Sequence, residues 1–203
     1  MLAAAAALPP GSGIVVRDDD RAPGDRWRLV RRLARIAKTR NLLLLLAGPP
    51  ALARRWGAGG VHLRRHHAKH APQARRLGLI VSMPVHDPRE AHAARRARAD
   101  LAFVSPLHPT RSHPGAPALG RAAWLGLARL SGARPVALGG LTPARARAPP
   151  REQGKRPHPR MGGDRSLAGK GDKTAQIDCV DIWFRVSRKW WRFATRSAAY
   201  VCT

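Results

Sequence analysis

Leu79–Ser105, LIVSMPVHDPREAHAARRARADLAFVS, decides the fold. Two apolar runs, Leu79–Ser82 and Leu101–Ser105, flank a segment with the marks of a helix. Asp87 stands where an N-cap belongs, Pro88 follows in the first turn, and Glu90 is close behind. Neither run alternates polar with apolar residues, so each reads as a strand covered on both faces, as in a parallel sheet. Strand, helix and strand in this order form a right-handed crossover unit.

The same pattern extends in both directions. Upstream lie the apolar runs Gly13–Val16 (GIVV), Asn41–Ala47 (NLLLLLA) and Gly60–Leu63 (GVHL); downstream lies Pro135–Leu138 (PVAL). Helices are predicted between them. Asp25–Thr39 sets Trp27, Val30, Leu33, Ala34 and Ala37 at steps of three and four, with arginines on the other face. Pro50–Trp56 and Ala122–Leu130 are shorter candidates. Regular alternation of strand and helix predicts an α/β fold of βα units with a parallel sheet, and the resemblance described below makes it a TIM-type parallel (β/α) barrel. A closed barrel takes eight strands, so the barrel is expected to be incomplete over residues 13–148.

Lys and Arg outnumber Asp and Glu by 38 to 12, a net charge of +26. That balance favours anionic partners. Those partners are nucleic acid, an anionic membrane surface or phosphorylated small molecules, and the charge does not choose among them, since the arginines are spread along the chain as solvated helix faces. With the motifs below, phosphorylated small molecules are expected and no specific nucleic acid. The two cysteines, Cys179 and Cys202, offer no metal spacing and no disulfide framework. Residues 1–12 lack a positive leading region and read as a flexible lead-in rather than a signal peptide. Leu42–Leu46 is far too short to span a membrane, and a cytoplasmic location is expected.

Residues 149–203 break the pattern. Pro149–Lys173 is rich in Pro, Gly and charge, and Thr174–Thr203 is basic and carries Trp183, Trp190 and Trp191. His158–Ala168, read one nucleotide later with G/C-rich codons, becomes Gly-Trp-Ala-Ala-Ile-Asp-Arg-Trp, and the single codon for Met161 forces the first Trp. That product resembles the missing buried strand. The tail is therefore expected to be out-of-frame sequence that forms no native strand and leaves the barrel open.

Residues that could carry chemistry sit after the apolar runs. Arg17 closes the first run. Ser105, His108, Thr110, Arg111, Ser112 and His113 crowd the loop SPLHPTRSHPG. Gly139 and Gly140 follow the last strand and precede a possible helix start at Thr142–Pro143, a place where backbone amides can hold phosphate. His62 reads as a packing residue of its strand. His66, His67 and His70 read as a solvated basic turn.

Four segments in order, Gly60–Leu63, Val81–Ala91, Ala99–Gly115 and Pro135–Pro143, resemble the thiamine phosphate synthase family, which the thiazole tautomerases share in fold. The resemblance implies joining of a pyrimidine-methyl diphosphate to a thiazole phosphate, with Mg²⁺ and cations on the leaving diphosphate. It implies substrate phosphate contacts at Arg17, Ser82, Thr110, Arg111, Gly139 and Gly140, and catalytic roles for Ser105, His108 and His113. The chain departs from the family at the metal site. Ala47 and Gly48 stand where an Asn-Asp pair is expected, His67 where an aspartate is expected, and His113 where a lysine is expected. No protein ligand for a metal is evident, and activity is in doubt on that account. Asp18, Asp19 and Asp20 are the remaining carboxylates near a strand end. The alternatives are a tautomerase-like isomerase working by histidine acid–base chemistry, and a non-enzymatic basic protein that binds polyanions.

Overall fold

The computed structural model describes residues 1–17, 20–110, 115 and 117–141, together with the backbone of 180–184 and 200–201. Six parallel strands run β1 (Gly13–Val16), β2 (Leu43–Leu46), β3 (Gly60–His62), β4 (Ile80–Val85), β5 (Leu101–Val104) and β6 (Arg134–Ala137). Each pairs with its sequence neighbour, so the sheet winds in chain order. Helices α1 (Leu2–Ala6), α2 (Pro23–Arg40), α3 (Pro50–Trp56), α4 (Ala71–Arg76), α5 (Pro88–Arg96) and α6 (Gly120–Ser131) are joined by a 3-10 helix at Arg65–His70. The architecture is a curled, TIM-like half-barrel, as the alternation predicts.

Local chemistry sets the element ends. The Asp87 side chain accepts the Glu90 backbone N–H at 2.8 Å, and Glu90 reaches back to the His86 N–H at 2.8 Å. This reciprocal pair starts α5 where the sequence predicts it. Asn41 ends α2 in the left-handed region at φ 54°.

The sheet has two differently built faces. Toward the helices, Ile14, Val16, Leu44, Leu46, Val61 and Val104 join Val30 and Leu33 of α2 in the main core. The Trp124 indole of α6 also reaches this layer, donating to the Val104 carbonyl at 2.9 Å. On the inner face a smaller cluster forms from Val15, Leu45, Leu101, Phe103 and Val136. Period-two alternation along each strand separates the two sets.

Three features differ from or add to the sequence reading. The N-terminal lead-in is ordered: α1 packs on α2 and buries Ala5 and Leu8, because its alanines and Leu2 cover apolar surface that α2 leaves open. Helix α4, which the sequence pattern did not single out, carries the chain between β3 and β4. The tail does form strands. β7 (Val180–Phe184) lies antiparallel on β1, with Ile182 opposite Ile14, and β8 (Tyr200–Val201) lies antiparallel on β7. An unpaired edge of β1 offers a ladder of amides and carbonyls to any segment of high β-propensity, and Val-Asp-Ile-Trp-Phe is such a segment. The antiparallel sense differs from that of the six-strand unit.

Candidate active site at the strand ends

Arg17 directly follows β1, Ala47 follows β2, Arg64 lies two residues past β3, His86 directly follows β4, Ser105 follows β5, and Gly139–Gly140 lie just beyond β6. All six strand ends therefore open on one end of the half-barrel, the end where folds of this type place their chemistry. Arg17, Arg64 and His86 share the inward parity of Val15, His62 and Pro84 two residues before each. Arg17, Arg64 and His86 are all exposed at this rim.

Beneath them lies a buried polar pair. His62 is 7% exposed and Ser82 0%. The Ser82 hydroxyl donates to the Val61 carbonyl at 2.9 Å, and His62 Nδ1 stands 3.0 Å from the Ser82 oxygen. With the Ser82 proton given to Val61, Nδ1–H is the donor to Ser82, and Nε2 is left as the acceptor of a neutral ring. The ring meets Phe103 edge-on, at 5.3 Å between centroids and 89° between planes. Burial pulls the His62 pKa down to about 3, helped by the charges of Arg17, Arg64 and His86.

Ser82 is not at a strand end. β4 runs on through Met83, Pro84 and Val85, so Ser82 is an interior residue with its hydroxyl bonded to Val61 and His62. His62 does more than fill space, since it ties β3 to β4 directly below the rim.

The Gly139–Gly140 turn is locked to the loop after β5. The Leu107 N–H donates to the Leu138 carbonyl at 2.8 Å and the His108 N–H to the Gly139 carbonyl at 3.1 Å. Both glycines have positive φ, 90° and 61°. A Cβ on Gly139 would stand 2.8 Å from Pro106 Cα, and one on Gly140 would strike the Pro109 carbonyl. Close loop packing therefore accounts for the glycine pair, and it brings Ser105, His108 and Thr110 beside it. Arg111 and His113 lie outside the described residues, as do Asp18, Asp19, Thr142 and Pro143.

The sequence reading missed Arg26, Arg64 and His86. The Arg26 guanidinium of α2 donates to the Ala47 carbonyl at 2.5 Å, so a cation stands at the end of β2. His86 bonds Glu90 through Nδ1 at 2.7 Å. The signal for Arg64 and His86 was inward parity counted from His62 and Pro84; Arg26 had none, since a helix-to-strand contact across 21 residues leaves no local trace.

The thiamine monophosphate synthase family matches residues 2–149. The chain belongs to that family. Among its relatives, a thiamine-phosphate synthase of Chromobacterium violaceum is 34% identical over 147 residues, 70% of each chain. A thiamine phosphate pyrophosphorylase from Pyrococcus furiosus shares the fold with a TM-score of 0.51 at 20% identity. That likeness covers 66% of this chain and 64% of the archaeal one, so the chain spans less than two thirds of that structure.

The family works in thiamine biosynthesis and uses Mg²⁺. The residues present at the expected ligand positions do not fit that ion. Ala47 and Gly48 have no side-chain oxygen, the Ala47 carbonyl is taken by Arg26, and His67 is exposed on the 3-10 helix against His66 and His70 rings. Among the described residues no group of three or more His, Cys, Asp or Glu stands together. A guanidinium at the end of β2 also repels a dication. No described helix is long and apolar enough to cross a membrane.

Proposed function

We propose that the chain is a thiamine phosphate synthase-type transferase that holds its diphosphate substrate with arginines rather than through a carboxylate-bound metal. One observation carries this reading: Arg17 and Arg64 stand just past β1 and β3, on the inward parity of the buried His62, in a chain that belongs to this family. In the reaction the carbon–oxygen bond between the pyrimidine methylene and the diphosphate breaks, the electron pair leaves with diphosphate, and the thiazole nitrogen supplies the pair for the new carbon–nitrogen bond. Guanidiniums stay charged at any working pH and hydrogen-bond phosphate in pairs, so Arg17 and Arg64 can stabilise the leaving group as its charge develops. Arg111 is assigned to the same role. The Gly139–Gly140 turn with Thr110 would receive the thiazole phosphate, and Ser105, His108 and His113 would line the reacting centre. Ser82 acts through His62, whose neutral Nε2 can accept a hydrogen bond from the pyrimidine amine. A cytoplasmic location suits such a biosynthetic role.

A thermal-shift panel tests this with inorganic pyrophosphate, the pyrimidine-methyl diphosphate and the thiazole phosphate, each in EDTA and in Mg²⁺. Ligands that bind the native state raise the midpoint by mass action. The expected result is a shift with both diphosphates in EDTA that is lost in Arg64→Ala. Shifts that need Mg²⁺ would reinstate a metal site and point to Asp18–Asp20. No shift with any precursor would remove the assignment.

A further inference from the structure

A second cationic site lies away from the strand ends, in a cavity of about 560 Å³ between the 3-10 helix with α4 on one side and α5 on the other. Its basic lining is Arg65, His66, Lys69 and Arg75 from one wall and Arg96 from the other. Small apolar side chains, Ala68, Pro72, Ala93 and Ala97, make up the rest. No carboxylate lines it. A volume of roughly 300–1,000 Å³ suits a small-molecule site.

The nearby acids are engaged elsewhere. Glu90 is bonded to His86, Asp87 caps α5, and Asp100 accepts the Val81 N–H at 2.8 Å. The segment Arg64–His70 contains six basic residues and no acid. Its repulsion registers on His67, which is exposed yet held below its ordinary pKa by lost hydration and then by His66, His70, Arg64 and Lys69. Arg75 is fixed in place, donating to the Ala97 carbonyl and, at 2.7 Å, to the Arg98 carbonyl at the end of α5. A preset cation, a crowded cationic turn opposite Arg96 and an apolar floor together favour a multiply charged anion with a flat apolar part.

We propose that this groove binds a polyphosphorylated small molecule of nucleotide type, its phosphates against Lys69, Arg65 and Arg96 and its ring on Ala68, Pro72, Ala93 and Ala97. A linear phosphate chain suits cations drawn from two walls, and the small side chains leave room for a ring to lie flat. The site is separate from the rim of Arg17 and His86, so it stands or falls independently of the transferase assignment.

Calorimetric titration of the full chain with adenosine triphosphate in EDTA tests it. Saturable one-to-one binding is expected, weakened about tenfold or more in the double variant Lys69→Glu/Arg96→Glu, since both reversed charges then repel the phosphates. Arg17→Glu should leave that affinity within about twofold. Circular dichroism confirms that both variants fold, and Arg75 is left intact because it holds α5. Absence of saturable binding overturns the proposal, as does loss of binding in Arg17→Glu alone. Displacement of the nucleotide by single-stranded DNA whose affinity grows with length also overturns it, since the groove would then belong to a nucleic-acid surface.

Discussion

The two faces of the parallel sheet differ in what they are asked to do. The outward face is a continuous apolar layer of Ile14, Val16, Leu44, Leu46, Val61 and Val104 against the helices. The inward face has fewer apolar residues, with His62 and Ser82 set among them and Arg17, Arg64 and His86 above. Burying apolar surface on the outer face supplies stability. The inner face gives up part of that gain to hold a neutral imidazole and a hydroxyl beneath Arg17, Arg64 and His86. The same strands therefore carry a scaffold on one side and a site on the other, and a residue's parity decides which it serves.

Truncation on the outer face should have the largest effect. Leu33→Ala empties a fully buried position of α2 and is expected to cost about 2–5 kcal/mol by urea denaturation. A loss below about 1 kcal/mol would mean that the helices contribute little and that the contrast between the faces is misdrawn.

The inner face should reveal itself through pH. The folded pKa of His62, about 3, lies below its ordinary 6.5. The unfolded chain then binds the extra proton between these values, so the contribution of neutral His62 is complete above pH 6.5 and fades as pH falls toward 3. At pH 5 the expected loss is about 2 kcal/mol relative to pH 7.5, and His62→Gln should remove that slope. Parallel pH profiles for the parent and His62→Gln would show that His62 is not held neutral.

A smaller effect is expected at the α5 cap. Asp87→Ala loses the hydrogen bond to Glu90 and should cost about 1 kcal/mol without changing the pH slope.

The smallest effect is expected in the tail. If residues 149–203 are out-of-frame product, β7 is an edge addition, and Ile182→Pro should change stability by under about 0.5 kcal/mol. A loss comparable to that of Leu33→Ala would make β7 part of the native sheet. Resequencing the gene across Pro149–Ala168 is expected to restore a frame encoding a strand; an intact frame would end the out-of-frame account.

Much of the scaffold was legible because its signals are local. The runs GIVV, LLLL and LAFV are apolar throughout, and Asp87-Pro88 announces a helix start within a few residues. The apolar run read from the sequence stops at Ser82, whereas β4 continues through Met83, Pro84 and Val85. Pro84 hid the continuation of β4, where it lies parallel to β5 opposite Phe103. The ordering of residues 1–12 depended on a surface of α2 that the lead-in itself does not encode.

By itself the sequence determined the α/β class, the order of six strands, and the family resemblance that the match over residues 2–149 bears out. Apolar runs, caps and turn residues act over a few positions, so they can be read in one dimension. Tertiary structure decided the rest: the His62–Ser82 bond between adjacent strands, the Arg26 guanidinium on the Ala47 carbonyl, and the packing of Gly139–Gly140 under Pro106 and Pro109. Each of these joins groups about 20 or more residues apart, and only the curl of the sheet, set by strand twist and helix packing, brings them within a hydrogen bond or a van der Waals contact.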